Sequence, residues 1–332
     1  MVSASISSIG TSEYRAQAGF EATIGTSVAQ NDEISLITDF TLDVDPGLQF
    51  LKTVGDKYSQ IQVPGEYNAG FTLNFYPQGD YGLGTIFQRD VTGSAGLTVE
   101  SAAASSTRYT HSAGFFPSPF SVEIWRSVAT EQIDRFVGAF VRRATITIEQ
   151  AQPWMLSLDC GATKLSILSG ASPSFTRVTH EPMHGHHTAI KIGGSQINAF
   201  ETAEVTIDNG LREFRTVNNT KYIQDVRIED MVTTCRLGYV VANATYWKNF
   251  NRNESVGDVD IIWKPTGSNS TSYWQASKVT LKDCYITDMG KAITEGNVTL
   301  FEDITLRPTC DGTNPEVEIQ YSHRTDAGYS GW

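Results

Sequence analysis

The feature that most constrains this chain is that its two halves carry the same motifs in the same order. Thr41-Leu42-Asp43-Val44-Asp45-Pro46-Gly47-Leu48 is answered by Val205-Thr206-Ile207-Asp208-Asn209-Gly210-Leu211, each an alternating run closing on an Asp-x-Gly-Leu turn. Pro-Gly and Asn-Gly are turn formers because glycine tolerates positive φ and proline presets its own. Beyond the turn, Lys52-Thr53-Val54 corresponds to Arg215-Thr216-Val217, and Lys57-Tyr58-Ser59-Gln60 to Lys221-Tyr222-Ile223-Gln224. Phe71-Thr72-Leu73-Asn74-Phe75 and Cys235-Arg236-Leu237-Gly238-Tyr239 then alternate with the two-residue period of a half-buried strand. Val122-Glu123-Ile124-Trp125-Arg126 is matched by Val259-Asp260-Ile261-Ile262-Trp263-Lys264, with acid, aliphatic, Trp and base in one order. Trp125 and Trp263 fall at matching positions and read as core anchors, given the area a Trp buries.

Each half continues with a long alternating strand, Phe140 to Ile148 and Val279 to Ile286, and another near Trp154 to Leu158 and Val298 to Leu306. The aromatic segments Tyr81–Phe87 and Ala244–Phe250 are each expected to form a short helix, although Gly82 and Gly84 weaken the first. The Gly-, Ala- and Ser-rich stretch from Val91 to Pro119 occurs in the first half alone and reads as a surface loop. The segment from Asp159 to Thr188 is broken by Ser-Pro, Glu-Pro and His-Gly steps. The expected organisation is a unit over residues 1–160, a linker over 161–190 and a second unit over 191–332. Two units are too few for a solenoid, which leaves a simple duplication or fused subunits of a symmetric assembly.

Composition supports strands: of 332 residues, 40% are hydrophobic and 19% charged, with 28 Gly and 13 Tyr. The net charge of −12 leaves too little clustered Lys and Arg for a general phosphate-binding surface. An acidic channel could still pass a duplex, because repulsion prevents sticking. Cys160, Cys235, Cys284 and Cys310 are far apart, without a C-x-x-C pair, and read as free thiols. Met1 to Ser12 lacks the pattern of a signal peptide, and no stretch has the length and apolarity of a membrane span, so no membrane insertion is expected.

One catalytic pattern needs weighing. His180-Glu181-Pro182-Met183-His184 matches H-E-x-x-H, in which a helix sets two His ligands one turn apart on zinc, with Glu as base. Pro182 and Gly185 oppose that helix. A looser metal site, or a metal-binding hydrolase, would use His180, His184, His186 and His187. The chain has no G-x-S-x-G and no P-loop. A third class is a β-sandwich adhesin or carbohydrate-binding module, suggested by the aromatic and Asn content.

The run Gln17-Ala18-Gly19-Phe20-Glu21-Ala22-Thr23-Ile24-Gly25-Thr26, with Ile192-Gly193-Gly194 upstream of Asp208-Asn209-Gly210-Leu211, resembles the tail tube proteins of long-tailed bacteriophages and related archaeal viruses. The resemblance covers nearly the whole chain. It implies a mainly β fold of two homologous tail-tube-type β-sandwich or barrel domains, each with a short helix. It further implies a structural virion protein, not an enzyme and without a cofactor, assembled in the host cytoplasm. Subunits would form rings of three chains with pseudo-six-fold symmetry, stacked into a tube whose acidic or neutral lumen conducts DNA during ejection. Its partners would be other copies of itself, a tape-measure protein, tail terminator and tail tip proteins, and viral DNA in transit. The loops Pro46–Pro64 and Asn209–Ile228 would contact the neighbouring ring through Asp45, Lys52, Asp56 and Lys57, and through Asp208, Arg212, Glu213, Arg215 and Lys221.

Overall fold

The computed structural model describes residues 14–21, 23–27, 32–34, 36–45, 47–51, 61–77, 98–103, 106–112, 119–126, 132–169, 182–197, 200–215, 222–241, 249–263, 277–290, 292–295, 298–310 and 316–324. The first half contains β1 (Tyr14–Phe20), β2 (Asp32–Ile34), β3 (Ile37–Asp45), β4 (Leu48–Leu51), β5 (Ile61–Pro64), β6 (Asn68–Phe75), β7 (Thr98–Ala103), β8 (Ser106–Ser112), β9 (Phe120–Arg126), β10 (Gln132–Glu149) and β11 (Met155–Ser169). The second contains β12 (Thr188–Ile192), β13 (Ser195–Ile197), β14 (Thr202–Asp208), β15 (Leu211–Phe214), β16 (Asp225–Ile228), β17 (Val232–Val241), β18 (Gly257–Trp263), β19 (Ser277–Met289), β20 (Ala292–Glu295), β21 (Val298–Arg307) and β22 (Val317–Arg324). A single helical turn covers residues 249–252, at the end of the second expected helix. The first expected helix, Tyr81–Phe87, lies outside the described residues.

The pairings of the first half recur in the second. β3–β6, β4–β5 and β6–β11 are matched by β14–β17, β15–β16 and β17–β21. β1–β2, β1–β9 and β9–β10 are matched by β12–β13, β12–β18 and β18–β19. In each half one long strand serves two sheets. β10 joins β9 through its N-terminal part, and a bulge between Val141 and Arg143 turns it into the other sheet. β19 does the same, with its bulge between Ile286 and Asp288. Such strands make the corners of a sandwich, because a bulge adds a residue on one side and bends the ladder.

Alternation decides the packing. Phe71, Leu73 and Phe75 on β6, Leu156, Leu158 and Cys160 on β11, and Ala144, Ile146 and Ile148 on β10 are all buried, as are Ala203, Val205 and Ile207 on β14. The core they form is continuous through both halves.

Several expectations are corrected. The stretch Val91–Pro119 is more than a surface loop: it contains the β7–β8 hairpin, and β8 pairs residue for residue with β22 of the second half. Polar and small residues hid this strand signal, whereas backbone hydrogen bonds need no apolar alternation. β11 runs to Ser169, well into the segment read as an irregular linker from 161. Its counterpart in the second half is split into β21 and β22, which together cover β19 as β11 covers β10. Trp125 and Trp263 are not equivalent. Ile190 pairs with Ile261 as Ala16 pairs with Ile124, so Trp125 corresponds to Ile262 and lies on the opposite face from Trp263. Trp263 is buried, while Trp125 is half-buried with the Arg15 guanidinium 5.9 Å from its ring centre. One inserted residue flips a side chain across the sheet.

Candidate assembly interface

The two halves join edge to edge. The C-terminal part of β10 pairs with β14 in the register Arg143↔Asp208, Ala144↔Ile207, Thr145↔Thr206, Ile146↔Val205, Thr147↔Glu204, Ile148↔Ala203 and Glu149↔Thr202. One sheet therefore runs β3-β6-β11-β10-β14-β17-β21-β19 across the whole chain. Its inner face is the apolar core. Its other face carries Asp39, Asp43, Asp45, Glu149, Asp159, Glu204, Asp208, Asp288 and Asp303 against Arg142, Arg143, Arg236 and Arg307, as the alternation, the ladder partners and the contacts of Arg142 with Asn68 and Gly70 place them. This broad face is strongly acidic. Two of its acids are neutralised locally, by Arg143–Asp208 at 2.7 Å and Arg236–Asp303 at 2.6 Å.

The joint itself is more than a ladder. Arg143 Nε and Nη2 both donate to Asp208 Oδ2, at 3.0 and 2.7 Å. Burial alone would raise the Asp208 carboxyl, but the Arg143 hydrogen bond and charge, with the Gly210 N–H, hold it below its ordinary value. Asn209 donates from Nδ2 to the Val141 carbonyl and from its backbone N–H to that of Arg142, both at 2.9 Å. Arg142 reaches Glu213 at 2.7 Å and Asn68 at 3.2 Å. Arg215 donates to the Tyr67 carbonyl at 3.0 Å and pairs with Glu213 and Glu66. The β15–β16 hairpin is thus laid over the joint, where Ile223, Val226 and Leu211 pack on Phe140, and Tyr222 meets Tyr67 edge-on at 5.5 Å between ring centres. Burial raises the Tyr67 phenol above its ordinary value.

Of the loop residues expected to face a neighbouring ring, Lys52, Asp56, Lys57 and Lys221 lie outside the described residues. Asp208, Glu213 and Arg215 are engaged within the chain, across the joint of the halves. Asp45 is exposed and caps its own turn by accepting from Gly47 N–H at 2.8 Å. Arg212 is exposed and pairs with Glu229 at 2.9 Å. Arg142 and Arg143 were missed from sequence. Their signal is two adjacent Arg that break the alternation of Phe140 to Ile148, as a bulge requires.

The histidine cluster does not form the zinc-binding helix. His184 is extended (φ −127°, ψ 140°) and bridges to Pro153, and a short 3-10 turn follows over Gly185–His187. The rings of His184 and His186 stack with centres 5.0 Å apart, while His180 lies outside the described residues. Among the described residues no three His, Cys, Asp or Glu converge as a metal site would require. The segment also anchors the chain: Trp154 donates to Thr188 Oγ1 at 2.7 Å, and Trp154 N–H to the Met183 carbonyl at 2.8 Å. A Cβ at Gly185 would fall on the Glu149 carbonyl. Cys160, Cys235 and Cys284 are buried, and Cys310 is exposed. Burial pushes the Cys284 thiol up to about 12, which removes the reactive thiolate.

No curated protein matches the chain. Residues 11–315 match the family described as phage tail tube protein. With that match spanning nearly all of a mainly β chain, the chain belongs to the phage tail tube protein family.

Proposed function

We propose that this tail component polymerises into stacked rings that form the tube of the virion tail and conduct viral DNA during ejection. The observation that carries the reading is the chain-long sheet with one apolar and one acidic face. Curved around an axis, such a sheet would present carboxylates to the lumen, where they repel phosphate and let a duplex slide.

The chain is further read as two copies of one tube unit, on the recurrence of the pairings and of the paired bulges. Three chains would then supply six places in a ring with pseudo-six-fold symmetry. The exposed pair Arg212–Glu229 on the β15–β16 hairpin is a candidate contact with the next ring, and in the first unit Asp45, Lys52, Asp56 and Lys57 occupy the corresponding turn and loop. A tape-measure protein inside the tube, and terminator and tip proteins at its ends, complete the proposed partners. No residue is assigned a catalytic role.

Negative-stain electron microscopy of the concentrated protein, with and without EDTA, tests the reading. Hollow tubes or rings in both samples, with a three-fold class average, are expected. A monomer at every concentration, or assembly abolished by EDTA, would count against it, the second result in favour of metal binding at the histidine segment.

A further inference from the structure

The halves are held together in a second place. Besides its share of the chain-crossing sheet, the second half has a sheet in the order β13-β12-β18-β19-β22-β8-β7, whose last two strands come from the first half of the chain. β8 pairs with β22 from Ser112↔Glu318 to Ser106↔Arg324 without a break in register. The matching sheet of the first half runs β2-β1-β9-β10-β11 and stops there among the described residues. The second half returns no such strand: among the described residues, the interval between β17 and β18 holds the helical turn 249–252.

Exposure records the difference. Asp134 pairs with Ile124 as Val279 pairs with Ile261, so Ile167, opposite Asp134, corresponds to Ile319, opposite Val279. Ile319 has β8 on its other side and is 0% exposed, whereas Ile167 is 64% exposed. Val317 is buried where its counterpart Leu165 is half-buried. The hairpin therefore completes a layer of the second half with strands that the first half supplies.

The two connections lie in different layers. β10–β14 joins the halves in the chain-crossing sheet and β8–β22 joins them in the sheet packed on it, and packed sheets stand about 10 Å apart. A single ladder is a soft joint, because paired strands keep their hydrogen bonds over twists of about −10 to −35°. Two ladders offset by a layer cannot both follow a rotation of one half against the other, so such a rotation must break backbone hydrogen bonds in one of them. We infer that the β7–β8 hairpin is a strap that fixes the angle between the two halves in the free chain. Resting on the tube reading, that angle is the curvature each chain brings to a ring. Every second joint is then set before assembly, and the compliance of the ring is left to the joints between chains.

Spin labels test the strap in the free, full-length chain. In a Cys310→Ser background, Lys164→Cys and Gln196→Cys place one label on each half at exposed positions of β11 and β13. The distance distribution from pulsed electron resonance is expected to be narrow. Two variants release the strap: residues 98–112 replaced by a Gly-Ser linker, and Tyr109→Pro with Thr110→Pro, whose adjacent prolines remove one donor toward β22 and one toward β7 whichever way the ladder alternates. In both, hydrogen exchange in β22 should rise at least about tenfold while β3 and β6 stay protected. The distance distribution should then broaden by about twofold or more. An unchanged width in a variant whose β22 exchange has risen would overturn the inference, since β10–β14 alone would hold the angle. Lost protection of β3 and β6 in both variants would overturn it as well, because the hairpin would then belong to the folding core. None of these readouts needs assembly: a chain that forms neither rings nor tubes would sink the tube reading and leave the strap decided by the labels.

Discussion

At the scale of single residues, the opening run Gln17 to Thr26 earns its place through Glu21. Its buried carboxylate accepts from the N–H groups of Gly25 and Gly138, both at 2.8 Å, and from the Ser121 hydroxyl. It thereby ties the end of β1 to β9 and to the corner of β10, where Gly138 has φ +61°. Glu21→Ala would leave three donors unpaired, one of them buried within the strand corner. A loss of about 2–4 kcal/mol is expected in chemical denaturation. Gly210, with φ +49°, has no room for a Cβ beside the Asp230 carbonyl, and Gly47 is placed identically beside Glu66. Gly210→Ala should cost at least about 1–2 kcal/mol by the same measurement, since strain and overlap add. The Asp208 carboxyl has a lowered value in the folded chain. Its contribution is therefore present above the unfolded carboxylate range, near about 3.9, and is lost as the pH falls through the folded value. Because both partners are substantially exposed, that contribution is below about 1 kcal/mol. The acid limb of the stability profile should flatten only slightly in Asp208→Asn.

At the scale of elements, the β15–β16 hairpin depends on Phe140, a fully buried ring that the strand bulge directs away from the main core. Phe140→Ala is expected to cost about 3–5 kcal/mol and to raise hydrogen exchange across residues 211–215 and 222–228 above that of the flanking β14 and β17. Comparable exchange in all three would show that the hairpin is held by its ion pairs instead. The repeated strands were legible because period-two alternation and Asp-x-Gly turns act locally: Thr41 to Leu48 and Val205 to Leu211 announce their own geometry. What escaped was long-range. Nothing local in Thr202 to Asp208 says that its partner is Arg143 to Glu149, and nothing in Ser106 to Ser112 points to β22. The Trp match misled because composition survives a one-residue slip that geometry does not. Loop charges such as Glu213 and Arg215 looked available for a neighbouring ring, since sequence does not reveal that Arg142 and Glu66 lie within reach.

For the whole molecule, membership of the phage tail tube protein family makes this a structural component of the virion tail. The acidic face has a solution consequence: added salt should promote assembly by screening its carboxylates, while duplex DNA should show no measurable binding at about 0.15 M salt. Light scattering and a mobility-shift assay check the two outcomes. Tight DNA binding would contradict an acidic conduit. The pairing of β10 with β14 also changes the order of the reaction. In the proposed ring with six places made by three chains, half of the joints would form inside single molecules, at an effective concentration fixed by covalent linkage rather than by expression level. Ring nucleation would then scale with about the third power of chain concentration where separate units would need the sixth. A virus using such a chain can begin its tail at a lower pool of subunits, and a dilution series of nucleation times would read that exponent directly.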